Sequence, residues 1–219
     1  MSSPHILVTC GPAHEPIDDV RRLTNQSSGE LGTILATTLA DAGFDVVCYR
    51  GEGATHPAPQ VPTLSFGTNA SLEKLLQNDA GKFDAVFHVA ALCDFLVQNA
   101  RPGKIRSDSD GFTLSLRPAP KIIRTLRTLF PKAQLVGWKY ELEGGRDEGL
   151  NRGRHQLATC HTDACVVNGA AYGEGFGFLE ADCQAVRHLP DKISLCRHLA
   201  GWMQTKRPVG RDGAPQALT

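Results

Sequence analysis

The chain begins with an unbroken apolar run, His5 to Cys10 (HILVTC), closed by Gly11-Pro12. A short, β-branched run bounded by turn residues predicts a strand buried on both faces. The period then changes. Leu31, Ile34, Leu35, Thr38 and Leu39 share one face of a helix predicted over Leu31–Ala42, with Ser27 or Ser28 as N-cap and Gly43 closing it. Asp45–Arg50 predicts the next strand. A Gly/Pro-rich loop follows to Pro62, then a weak strand near Leu64 and a short helix over Ser71–Gln77. Phe83–Leu92 (FDAVFHVAAL) is the most strand-like run in the chain.

Strands that are apolar throughout and alternate with helices predict an α/β fold, a doubly wound and mainly parallel Rossmann-like sheet covered on both faces. The middle departs from this pattern. Gly103–Ser107 and Phe112–Arg117, joined by Asp108-Ser-Asp-Gly111, read as a β-hairpin appendage, because Thr113 and Ser115 alternate with Leu114 and Leu116. A helix is predicted over Pro120–Phe130. Buried strands follow at Ala133–Trp138 and Ala164–Asn168 with helical sequence between them, then a pair of short strands within Gly177–Leu189 and a final helix over Asp191–Met203. Residues 1–205 form one expected domain without repeat or linker, and 206–219 an expected disordered tail.

Composition narrows the function classes. Twenty-three basic and 23 acidic residues leave a formal net charge of zero, so no overall field draws in nucleic acid or an anionic membrane. No apolar run approaches the roughly 20 residues of a membrane helix. A strand begins within a few residues of Met1, so no signal peptide is expected. Seven cysteines without regular spacing, with Cys10, Cys48 and Cys165 inside apolar runs, indicate reduced thiols and a cytoplasmic protein.

In an open parallel sheet, ligands bind beyond the carboxyl ends of the strands, and polar residues and glycines gather at those ends here. In Arg21–Gly32 (RRLTNQSSGELG), a helix begun by Ser27-Ser28-Gly29 offers free backbone N–H groups, a positive dipole end and two hydroxyls, with Arg21, Arg22 and Asn25 just before it. Chemistry alone leaves two readings open, a phosphate-binding turn or an N-cap followed by a solvated loop. The stretch is neither a Walker A loop nor a G-x-G-x-x-G fingerprint, and Gly51-Glu-Gly53 lies in the wrong unit. Tyr172 is followed four residues later by Phe176 where a short-chain reductase needs lysine. No G-x-S-x-G elbow occurs. His155, Cys160, His161, Asp163 and Cys165 fit no common zinc spacing, so no metal ligands are assigned. Cys93 reads as a small buried hydrophobe.

These residues resemble a known family. Gly11–Gly32 (GPAHEPIDDVRRLTNQSSGELG) is similar to the signature of the phosphopantothenate–cysteine ligases, the synthetase half of the DNA/pantothenate metabolism flavoproteins. Further segments match in order: Phe83–Phe95 to the family's strand ending in AAVAD-aromatic, Gly103–Ser107 to KIKK, Leu135–Glu141 to VGFKAET, and Ala164–Gly169 to IVAND. The resemblance runs from about Ile6 to Met203. It implies an enzyme of coenzyme A biosynthesis that activates the carboxylate of 4'-phosphopantothenate on the α-phosphorus of CTP or ATP, with Mg²⁺, and passes the acyl group to cysteine. It implies Asn25 on the reacting acyl group and Lys104 on a mobile strap as catalytic residues. It implies Gly11, Arg21, Ser27, Ser28, Gly29, Ala90, Ala91, Asp94, Gly137, Trp138, Lys139 and Asn168 around substrate and nucleotide. It also implies a homodimer, with the hairpin as the dimer contact. Many family members carry a flavin-dependent decarboxylase half; the chain starts at the synthetase strand, so no FMN and no decarboxylation are expected, and a separate decarboxylase is a possible partner.

The sequence departs from the pattern at Glu30, where lysine or arginine is commoner, at Leu92 and Cys93 in place of small residues, and at Gly169 in place of aspartate. It also lacks the threonine that follows Glu141 in the family. A dinucleotide-binding reductase or sensor, or a diverged inactive paralogue, is the alternative.

Overall fold

The computed structural model describes residues 3–100, 102–106 and 111–206. In chain order the first elements are β1 (His5–Cys10), β2 (His14–Pro16), β3 (Arg22–Thr24), α1 (Glu30–Asp41), β4 (Asp45–Gly51), β5 (Thr63–Phe66), α2 (Asn69–Asn78) and β6 (Ala85–His88). Next come β7 (Phe95–Val97), β8 (Leu116–Pro118), a 3-10 turn (Ile122–Arg124), α3 (Leu126–Leu129), β9 (Gln134–Tyr140), α4 (Arg146–Cys160), β10 (Ala164–Asn168), β11 (Phe176–Glu180), β12 (Cys183–Leu189) and α5 (Lys192–Thr205). Eight strands form one sheet in the order β12-β11-β10-β9-β6-β1-β4-β5. β10 to β5 pair in parallel, and β11 and β12 add an antiparallel edge.

Strand alternation sends side chains to two cores. Ile6, Val8, Phe87, Val136 and Val166 pack under α1 and α5 against Leu35, Leu39, Leu195, Leu199 and Trp202. Leu7, Tyr49, Val86 and Leu135 face the opposite side, against Leu72, Leu76, Ile122, Leu126 and Phe130. On that same side α4 covers Cys165, Val167 and Leu179.

Several expectations need correction. The strand expected to reach Leu92 ends at His88, because Ala91 turns its backbone to the loop after β1: Ala91 N donates to Gly11 O at 3.0 Å. The helix expected over Pro120–Phe130 is a 3-10 turn and a single α-turn. Lys121 is extended, and Pro131 disfavours helical geometry at Phe130, so only the stretch between them coils. The ribbon containing Leu116–Pro118 pairs with Phe95–Val97, not with the segment at Gly103. Residues 103–106 form no strand, and 107–110 lie outside the described residues. The N-cap of α1 is Gly29 in the left-handed region (φ 80°), while Ser28 Oγ accepts the Glu30 N–H at 3.3 Å. The hairpin β2–β3 was not anticipated. Lys206 belongs to the end of α5 and pairs with Glu180 at 3.5 Å, and the rest of the expected tail lies outside the described residues.

α1 seats closely on β1 because Gly32 faces Cys10, and a Cβ at Gly32 would overlap the Cys10 Cβ. Gly32→Ala removes a flexible helix residue, a gain of about 1 kcal/mol, yet forces α1 off the sheet. A net loss of roughly 1–2 kcal/mol is expected in chemical denaturation; an unchanged or raised midpoint would show that the helix shifts freely.

Candidate functional site

The sheet reverses its winding between β1 and β6. From β1 the chain builds outward through β4 and β5; from β6 it builds the other way through β9 and β10. Loops leaving the carboxyl ends of β1 and β6 therefore diverge, the geometry that opens a ligand crevice in doubly wound folds. A short seam holds them first. Pro12 bridges Ala91 in parallel, and Ala13 N donates to Ala91 O at 3.0 Å. A cleft opens on each side of the seam.

The first cleft, about 550 Å³, is lined by Pro12, His14, Arg22, Thr24, Asn25, Gln26, Ser27, Ser28, Gly53 and Thr55. Arg22 and the Ser27 and Ser28 hydroxyls give it the character of an anion site. Gly11 and Gly29 do not line it. Both have positive φ, and a Cβ on either would lie within 2.8–2.9 Å of Ala54 Cβ, so their bareness serves packing of the 51–56 loop over α1. That loop is tied down by His56 N donating to Ser28 O at 3.0 Å, and by Arg50 donating to the carbonyls of Ala54 and His56. Asn25 Nδ2 donates to Leu92 O at 2.7 Å. Among the described residues its other amide hydrogen and Oδ1 have no partner.

The second cleft, about 290 Å³, lies over β6 and β9 between the 3-10 turn and α4. Ala90, Asp94, Trp138 and Lys139 line it, together with Leu92, Lys121, Arg124, His155 and Gln156. The Trp138 ring also packs on the α1/α5 core. Asp94 is ion-paired with Lys121. Lys139 lies 3.6 Å from Glu141, which also pairs with Arg152. Gly137 and Ala91 are structural neighbours rather than lining, and Asn168 ends β10 without reaching either cleft. Cys93 borders the second cleft but is buried; burial, ahead of the nearby Glu15 and Asp94, pushes its thiol up to about 11.

Arg21 and Lys104 lie apart from both clefts. Asp18, with no exposed side-chain surface, accepts hydrogen bonds from Val20 N, Arg21 N, Ile105 N and the Arg21 guanidinium, the last at 2.5 Å. Burial pushes its pKa up, but these four donors outweigh it and lower the value to about 2. Asp19 accepts from Gly103 N at 2.7 Å and donates its own N–H to Gly103 O at 3.3 Å. The 103–105 strap is thereby docked on the turn before β3, with Lys104 exposed upon it.

The unusual residues have physical accounts. Glu30 pairs with Lys192 of α5, whose hydrogen bond and charge lower its pKa, so the carboxylate is neutralised beside the serines. Gly169 (φ 108°) abuts Glu141: a Cβ there would overlap the Glu141 carbonyl, which accepts the Ala171 N–H at 3.0 Å. Aspartate cannot occupy this turn without moving it. In the histidine–cysteine segment, Asp163 pairs with Arg127 at 2.7 Å and accepts Leu135 N–H. Among the described residues no group of three metal-binding side chains assembles. Sequence reasoning missed His88, Lys121 and Gln156 as cleft residues. Arg22, noted beside the serines, lines the first cleft, whereas Gln156 enters only through the packing of α4.

The fold and the paired clefts define a doubly wound α/β domain with its ligand site at the switch point. A model of the DNA/pantothenate metabolism flavoprotein C-terminal domain matches residues 1–195, and the chain belongs to that family. The coenzyme A biosynthesis bifunctional protein CoaBC of Thermococcus kodakarensis is 32% identical over 165 residues, covering 74% of this chain and 40% of that protein. The chain thus spans about two fifths of the length of that relative. The DNA/pantothenate metabolism flavoprotein from Streptococcus pneumoniae superposes with a TM-score of 0.83 at 24% identity, over 94% of this chain and 100% of that one. A Cab2 mutant solved in complex with phosphopantothenate-cysteine gives 0.77 at 16% identity, over 93% and 87%. These two likenesses establish the fold. Among the described residues no helix is long and apolar enough to cross a membrane.

The strap predicts a pH signature. Asp18 has a folded pKa below its ordinary 3.8, so its stabilisation is present above about pH 4 and is lost as pH falls toward 2. Asp18→Asn should lower the melting temperature at pH 7 and speed amide exchange at Gly103 and Ile105, with the stability difference shrinking toward pH 2. An equal difference at both pH values would contradict this assignment.

Proposed function

We propose that this chain is a phosphopantothenate–cysteine ligase of coenzyme A biosynthesis, working through an acyl-nucleotide. The observation that carries the reading is the position of Asn25. It lines the first cleft and donates to Leu92 O, whose residue lines the second. A carboxylate reaching out of one cleft meets a triphosphate lying in the other at this amide. The motif matches, the family membership and a like-folded protein bound to phosphopantothenate-cysteine support the assignment.

A carboxylate is unreactive toward an amine at neutral pH, so it must first be activated. Its oxygen attacks the α-phosphorus, pyrophosphate leaves, and the amine of cysteine then displaces the nucleoside monophosphate from the acyl carbon. An anion attacking a polyanion needs cations and aligned donors more than a base. Lys139, Lys121 and Arg124 supply positive charge in the nucleotide cleft. Asn25 polarises the acyl carbonyl with its remaining N–H and, being neutral, repels neither reactant. Ser27, Ser28 and Arg22 hold the phosphate of the pantothenate substrate, and Arg21 holds the strap. Lys104 stabilises charge on the acyl phosphate once the strap moves onto the bound intermediate. Asp94 is the only carboxylate among the lining residues of the second cleft, too small a donor set to hold a divalent ion alone. It suits Mg²⁺ that arrives on the triphosphate, CTP or ATP, with Lys121 released from its ion pair. The two steps as written transfer no electrons and so call for no flavin, and a decarboxylase activity takes the product onward. The exposed Phe95 and Leu116 of the β7–β8 ribbon support a homodimer through this face.

Pyrophosphate should be released only when a nucleoside triphosphate and 4'-phosphopantothenate are both present. Release that ignores the acid, or thermal stabilisation by NADPH instead of a triphosphate, would overturn the reading. Asn25→Asp places a negative charge against the attacking carboxylate and should lower turnover by roughly 100-fold or more, with the melting temperature little changed. A fully active Asn25→Asp enzyme would remove Asn25 from the reaction.

A further inference from the structure

Four positions form a row across the carboxyl edge of the sheet, on the side covered by α2 and α4. Thr9 pairs with His88, and Gly137 pairs with Cys165. The register that sets Phe87 against Val136 brings His88 beside Gly137 one step further on. Gly137 has no side chain, and the Gln156 amide from α4 fills the space, lying where a Cβ would be. His88 and Gln156 are each only 7% exposed, and both line the second cleft.

Each side chain is held at one end. Ala90 N donates to Thr9 Oγ1 at 3.3 Å, and that hydroxyl lies 3.0 Å from His88 Nδ1. Thr9 is fully buried, and among the described residues His88 Nδ1 is the acceptor its hydroxyl proton reaches; that bond places the imidazole hydrogen on Nε2. Burial keeps the ring neutral, lowering its pKa to about 4. Gln156 Nε2 donates to Cys165 Sγ at 3.4 Å. The Cys165 thiol, pushed up to about 12 by burial, stays protonated and points its hydrogen toward Val166 O. Gln156 therefore presents its carbonyl oxygen at the free end. Among the described residues neither His88 Nε2 nor Gln156 Oε1 has a hydrogen-bond partner. Both residues line the cleft, so a ligand bound there can take up these free ends.

We infer that His88 and Gln156 read the edge of the nucleobase, selecting one that sets an exocyclic amino group beside an unprotonated ring nitrogen. The inference rests on the ligase reading, which puts a nucleoside triphosphate in this cleft. The His88 N–H meets the ring nitrogen and the Gln156 carbonyl accepts from the amino group. Cytosine (N3, N4) and adenine (N1, N6) share this pattern. Uracil and hypoxanthine invert it, setting N–H against N–H and oxygen against oxygen. The discrimination depends on both ends being fixed, by Thr9 on one side and Cys165 on the other.

The test is direct binding of CTP, UTP, ATP and ITP to the full chain by calorimetry, without the acid substrate so that no turnover occurs. At least one amino base should bind roughly tenfold or more tightly than its oxo counterpart. The pair that shows the ratio, CTP/UTP or ATP/ITP, identifies which base fits. Gln156→Met keeps the volume and removes the acceptor; it should collapse that ratio toward one while the oxo nucleotide binds as before. Gln156→Glu serves the same comparison should the methionine variant fail to fold: it keeps an acceptor and should retain preference for the amino base. Equal wild-type affinity within both pairs overturns the inference and leaves the ligase reading standing. A ratio that survives Gln156→Met also overturns it. If no triphosphate binds at all, both readings fall.

Discussion

Beyond the last paired residues of β1 and β6, the two strands stay stitched for a few residues more, through Gly11, Ala13, Pro12 and Ala91. Everything at the site depends on that seam. It lies where the sheet reverses direction, so the chain on either side must turn away, and two clefts open back to back. Small residues are required because the strands remain within hydrogen-bonding distance after their helices have diverged. Gly11 is hemmed in by Ala54, and the α1 N-terminus sits against it through Gly29. The seam thus sets where α1 begins, and with it where Asn25 and the two serines point.

Two further ties complete the arrangement. The Asn25 amide crosses from one cleft to the backbone of the other, while Asp18 gathers four donors and fixes a strap from a distant part of the chain. Both use backbone groups, which tolerate changes in surrounding side chains. This explains how the site accommodates its departures. Glu30 is neutralised by Lys192 rather than facing the serines uncompensated, and Gly169 is held by the close approach of Glu141.

Much of the sheet was legible because its strands are apolar on both faces and its helices are punctuated by glycine. β1, α1, β4, β9 and β10 came from period and run length alone. Errors arose where tertiary contacts override local pattern. Phe112–Arg117 alternates as a ribbon should, but alternation does not name a partner, and β7 supplied it from before the strap. The β6 run is apolar to Leu92, yet the seam takes Ala91 out of the ladder. At the site, the residues carried by one contiguous motif were visible in sequence: Asn25, Ser27 and Ser28. Gln156 and His88 were not, because what sets them apart is a missing side chain at Gly137 and a hydroxyl on the strand beside β6.

The central claim is that a carboxylate in one cleft attacks the α-phosphorus of a nucleotide in the other. Isotope transfer reports that bond directly. With 4'-phosphopantothenate carrying ¹⁸O in its carboxylate, turnover with cysteine should deliver one labelled oxygen to the nucleoside monophosphate, read by mass spectrometry, and leave the other in the amide product. Label recovered in inorganic phosphate, or none in either phosphorus product, would contradict the account.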